Sequence, residues 1–121
     1  MKFSVSLNNT KQNFTPVETK QIEDLATHIM HYNYSLSVFK DQDRKNVNFI
    51  SADAIALDFD EGLTIKEAEM RFRNKRHIIA PSRNHQKEKN GVVSDRFRVI
   101  LFLENRITDV NTYNATVESL L

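Results

Sequence analysis

Asp58 and Asp60 stand two residues apart at the end of the apolar run Ala54-Ile55-Ala56-Leu57, and Gly62 follows almost at once. Side chains two apart on a strand point to one face, so this pair can share a single hard cation. Mg²⁺ is held by one or two carboxylates together with substrate phosphates, and such ions can clamp both ends of a phosphoryl displacement. The chain contains its own control. A second Asp-x-Asp, Asp41 and Asp43, lies in the polar run from Lys40 to Lys45 with no strand to aim it, and reads as a solvated loop. For Asp58 and Asp60 the residues alone leave two readings open, a cation site or an acidic turn at a strand end.

Groups that could meet phosphates lie downstream. Ser82, Arg83, His85 and Lys87 fall in one polar segment, and Arg96 and Arg98 are again two apart and so expected on one sheet face. Guanidinium matches phosphate oxygens bidentately, so imidazole with arginines could cradle a triphosphate. The only glycines are Gly62 and Gly91, so no Gly-rich loop is present and side chains must hold any phosphate. The net charge of +1 hides an asymmetry: Arg71 to Arg98 contains nine bases and two acids, whereas Asp53 to Glu69 contains six acids and one lysine. An acidic strand end beside a basic segment suits a cation next to a polyanion, and a merely solvated charged hairpin is the other reading. His28 and His31 are three apart on a helix, with no third ligand near them in the sequence.

These residues need elements to position them. Phe3 to Leu7 alternates with period two and predicts a half-buried strand. Thr15-Pro16, with Glu18 three residues on from the threonine, predicts the start of a helix whose stripe of Ile22, Leu25, Ala26 and Ile29 reaches about His31. Tyr34 to Phe39 is rich in strand formers. Ala54 to Leu57 predicts a buried central strand, and Thr64 with Glu67 forms a capping box for a helix to about Asn74. His77 to Ala80 and Arg96 to Leu103 predict two strands, with Asn90-Gly91 a tight turn between them and Thr108 or Asp109 capping a last helix. The order predicts an α+β fold, a mixed sheet with helices packed on it.

At 121 residues, 40% hydrophobic and 27% charged, the chain predicts one domain burying roughly two-thirds of its unfolded surface. Residues 1–49 would form a strand–helix–strand region and 50–121 the motif-bearing core. Zero cysteines exclude disulfides, thiolate zinc and cysteine nucleophiles. No apolar run is long enough to span a bilayer, and Met1 to Ser6 leads straight into polar sequence, so a cytoplasmic protein without membrane contact is expected.

Three stretches together resemble the catalytic domain of the archaeo-eukaryotic primase superfamily, in the form found in replication proteins of phages and mobile elements. Ala56-Leu57-Asp58-Phe59-Asp60-Glu61-Gly62 resembles its strand ending in Asp-x-Asp. Ile78 to Lys87 is similar to its second motif, built around a small polar residue and a histidine. Asp95 to Leu101 looks like the strand that follows. The resemblance runs from about Ile50 to Leu121. It implies an RRM-like sheet and template-dependent nucleotidyl transfer from nucleoside triphosphates, with Asp58 and Asp60 holding Mg²⁺ or Mn²⁺ and His85 contacting the phosphates. It also implies a single-stranded DNA or RNA template and a helicase domain or replication protein as partner.

Two departures stand out. Asn84 occupies a position where relatives usually have serine. The family's third catalytic carboxylate follows the strand and helix after Arg96, and here only Glu104, Asp109 and Glu118 lie beyond that strand, none in a matching context. The chain therefore reads as the front part of a longer primase, or as a short protein with an incomplete site. In the second case it would bind nucleic acid or a host defence protein as a regulator or inhibitor. Haloacid-dehalogenase-like phosphatases also open with an apolar strand and Asp-x-Asp. Glu61 stands where that motif puts glycine, however, and 121 residues leave little room for its later motifs.

Overall fold

The computed structural model describes residues 1–8 and 12–121. Its centre is a four-stranded sheet of order β4-β5-β9-β6, formed by Ser37–Phe39 (β4), Phe49–Phe59 (β5), His77–Pro81 (β6) and Phe97–Ile107 (β9). A second sheet has Lys2–Ser6 (β1) between Thr15–Glu18 (β2) and Asn33–Ser35 (β3), and a short ribbon pairs Glu88–Lys89 (β7) with Val92–Val93 (β8). The α+β class holds, but the expected mixed sheet is instead antiparallel in every described pairing. The reason lies in the connections. β9 returns between β5 and β6, so the two strands joined by a helix run parallel without touching.

β5 is buried because both its faces are covered. Ile55 and Leu57 point to one side, where they meet Val99, Leu101, Ala68 and Phe72, with Tyr113, Val117 and Leu120 packed alongside. That side is covered by the helices Ile65–Arg71 (α2) and Val110–Leu120 (α3). Ala54 and Ile100 face the other way, onto Phe3 and Val5 of β1, Leu36, and Leu25 of the helix Ile22–His31 (α1). One apolar cluster thus joins residues before and after position 49.

Local signals set most helix ends and turns. The Thr64 hydroxyl accepts from the Glu67 N–H and the Glu67 carboxylate from the Thr64 N–H, both at 3.1 Å, completing the capping box. Asp109 caps α3 through the Thr112 N–H at 2.9 Å. Asn90 and Gly91 both take positive φ, 53° and 80°, as a two-residue hairpin turn requires. One expectation fails. Thr15-Pro16 does not open a helix, because Thr15–Glu18 pairs with the free edge of β1, where an edge strand tolerates proline. α1 begins only at Ile22, and its preceding residue Gln21 makes no side-chain capping bond. Among the described residues no helix is long and apolar enough to cross a membrane.

Between Ala52 and Ala54 the β5–β9 register slips, and Asp53 fastens that bulge. Its carboxylate accepts from the Lys2 N–H at 2.7 Å and from Arg106 at 2.8 and 3.0 Å. The Arg106 guanidinium, helped by the Lys2 N–H, holds the Asp53 carboxyl below its ordinary value against the opposing effect of burial. A depressed carboxyl stabilises the fold fully above the unfolded value of about 4 and loses that contribution as pH falls through the folded value. Urea midpoints measured across the acid range should therefore fall more steeply for wild type than for Asp53→Asn, and equal slopes would show that the clamp contributes nothing.

Candidate functional site

Asp58 ends the buried run of β5 and Asp60 lies just beyond it. Both carboxylates line one open cavity of about 700 Å³, together with Arg98, Ser82 and Tyr34. Its walls are apolar, from Ala26, Ile29 and Met30 of α1 and Ile78 to Pro81 of β6. A pocket of that size, mostly apolar with a few converging polar groups, is in the range of small-ligand sites. The two acids therefore line one cavity, Asp58 from the strand and Asp60 from the turn that follows it. The other Asp-x-Asp is spent locally: Asp41 sits at φ 54° in a tight turn, and Asp43 accepts from Asn48 and pairs with Lys45.

Register decides what Asp58 touches. Asp58 lies opposite Arg98, which lies opposite Ala80 on the next strand. Arg98 grips the carboxylate with two parallel bonds, Nε to Oδ1 at 2.6 Å and Nη2 to Oδ2 at 3.0 Å, while Nη1 donates to the Tyr34 hydroxyl at 3.0 Å. The guanidinium also lies 5.5 Å from the Tyr34 ring centre. Asp58 beside it raises the Arg98 pKa above its already high ordinary value, so Arg98 stays charged. Tyr34 belongs to the site, and nothing in the sequence pointed there beyond its place in a run of strand formers.

Arg96 goes elsewhere. It is 1% exposed, and its guanidinium donates to the carbonyls of Asn84, Lys87 and Val92, so it is not available to the cavity with Arg98. It lies just before β9, where the 82–95 excursion folds over it and leaves three loop carbonyls in need of donors. Arg96 therefore holds the segment that carries Ser82, Arg83, His85 and Lys87. Arg83 and Lys87, with Lys89, stand exposed on that segment.

His85 is not among the groups lining the cavity, but it is tied to one that is. Its N–H donates to the Ser82 carbonyl at 3.1 Å, and the Ser82 N–H donates to Arg96 at 2.8 Å. The Arg96 backbone N–H donates to His85 Nδ1 at 3.1 Å. With Nδ1 an acceptor, the neutral ring carries its hydrogen on Nε2. Nitrogen NMR of the imidazole at high pH should find the Nε2–H tautomer, and the Nδ1–H form would show this loop arrangement to be wrong. The segment is braced further by Gln86, at φ 58°, whose N–H donates to Ser94 and whose amide donates to Asp95. The N–H of Ile65, at the start of α2, holds the Asp95 carboxyl below its ordinary value. Ser94 Oγ in turn donates to the Asp60 carbonyl at 2.8 Å, linking the excursion to the acidic strand end.

Among the described residues no group of three or more acid or histidine side chains is gathered for a metal. Glu104 is six residues along β9 from Arg98, roughly 20 Å at strand rise. Asp109 is occupied as the cap of α3. His28 is engaged within its own helix, its Nδ1 2.6 Å from the Asp24 carbonyl and its ring edge-on to Phe3. No protein-family model, curated protein or solved structure matches the chain.

Proposed function

We propose that this chain is a primase/polymerase-like nucleotidyltransferase domain that binds a nucleoside triphosphate and single-stranded nucleic acid at the Asp58–Asp60 cavity. The observation that carries the reading is the convergence of two strand-end carboxylates, Arg98 and Ser82 on one cavity of nucleotide size. The succession β5–α2–β6–β9–α3, with β9 inserted between β5 and β6 and both helices packed on one face, agrees with the RRM-like core that the sequence resemblance implies. Hard carboxylate oxygens fit Mg²⁺ or Mn²⁺, and Asp58 and Asp60 would hold the ion. When bound, such an ion neutralises charge on the transferring phosphate and its leaving group. Arg98 and Ser82 would take phosphate oxygens, and the apolar wall from Ile78 to Pro81 would lie against the base. Exposed Arg83, Lys87 and Lys89, with His85 among them, would meet the polyanion through charge and the Nε2–H donor.

A second reading is favoured by one observation, the lack of a third acid beside the pair among the described residues. In it the same fold binds nucleotide or nucleic acid without turnover, as a module of phage or mobile-element origin that regulates or inhibits a host defence system. Binding and turnover separate the two. Triphosphate binding should be strengthened by Mn²⁺ or Mg²⁺, and in the presence of metal should weaken at least about tenfold in Asp58→Ala or Asp60→Ala, the scale of a lost charge-assisted contact. Metal-dependent incorporation of labelled nucleotide on a single-stranded template identifies the enzyme, and binding without incorporation identifies the module. A wild-type chain that binds no triphosphate in the presence of metal overturns both.

A further inference from the structure

We propose that Arg98 is a latch on Asp58 that a polyphosphate must open before a divalent cation can settle on the acidic pair. This rests on the nucleotide-binding reading of the cavity and adds an order of entry to it. Each Asp58 oxygen accepts a bond from one guanidinium, at 2.6 and 3.0 Å, so a cation approaching Asp58 meets a positive charge already held against that carboxylate. The pair is strong in geometry yet openable in place. Its side chains are 36% exposed for Arg98 and 64% for Asp58, and ion pairs so exposed are worth little in water.

Tyr34 sets the resting position from the other side through its hydroxyl and ring. A triphosphate offers Arg98 what Asp58 offers, two anionic oxygens in a fork, and brings further oxygens for the metal. Taking the guanidinium releases the carboxylate at the moment the cation's remaining ligands arrive. Cation and polyphosphate therefore bind with positive coupling through one arginine, and the coupling is reciprocal. Asp60 makes no such pair among the described ion pairs.

The test uses Mn²⁺ alone, with free ion followed by electron paramagnetic resonance. Arg98→Gln should bind Mn²⁺ about tenfold more tightly than wild type, within the usual span of coupling between two ligands, and Arg98→Gln combined with Asp58→Asn should lose the gain. In parallel, tripolyphosphate in excess chelator should shift the Arg98 Nε–H resonance of the wild-type protein, a readout that needs no variant to fold. If Arg98→Gln binds Mn²⁺ no more tightly while Asp58→Asn still weakens it, the latch is wrong and the cation site stands. An unmoved Nε–H signal also overturns the latch. If neither wild type nor Arg98→Gln binds Mn²⁺, the cation site falls and the latch with it.

Discussion

Phe97→Ala should destabilise the protein by about 4 kcal/mol, the usual range for emptying a buried phenylalanine site. Phe97 is 2% exposed in the cluster formed by Ile55, Leu57, Val99 and Phe72, and its ring stacks on Phe59 at 5.4 Å. It lies opposite Phe59 on β5 and Pro81 on β6, so one side chain holds three strands together at the end where Asp58 emerges. The void cannot collapse without shifting Arg98, its neighbour in β9. For a domain of this size the melting temperature should drop by on the order of 15 °C. Phe97→Leu keeps most of the volume and should cost under half as much. A Phe97→Ala protein that melts within a degree or two of wild type would show that this end of the sheet is not packed as described.

Arg96→Met is expected to cost about 2–3 kcal/mol through the buried carbonyls it leaves without donors. Methionine fills most of the space and removes the desolvation of a buried charge, which moderates the loss. The damage should be local: Asn84, Lys87 and Val92 lose their common donor. Amide exchange should accelerate across residues 82–95 while the β5 amides stay protected, because regions open separately when their contacts are separate. The same variant should weaken triphosphate binding in proportion to that loosening, with the acids untouched. Uniform exchange over the whole chain, or none, would contradict the role of Arg96 as the anchor of the excursion.

The readable parts of the sequence were those whose cause is short in range. A buried strand shows as a continuous apolar run, so Ala54 to Leu57 announced β5. Thr64 with Glu67, Thr108-Asp109 (of which Asp109 is the cap), and Asn90-Gly91 announced their cap or turn because the bonding groups sit within three residues of one another. Asp58 and Asp60 line one cavity, Asp58 from β5 and Asp60 from just past its last residue, where strand periodicity has ended. Thr15-Pro16 misled because a capping pattern and an edge strand use the same residues there. The choice between them belongs to β1, whose free edge takes Thr15–Glu18 as a partner.

Sequence alone therefore settled the buried run of β5, the local caps and turn, and the basic character of the segment after α2. Tertiary structure decided which charge meets which. Asp58 finds Arg98 forty residues away because β9 threads between β5 and β6, and Tyr34 joins them across sixty-four. Arg96 and Arg98 have the same type and stand two apart in sequence, yet one, just before β9, is buried under a loop and the other, within it, faces the cavity. No local periodicity encodes that difference. It arises from strand order and from carbonyls that need a donor once the chain has folded over them.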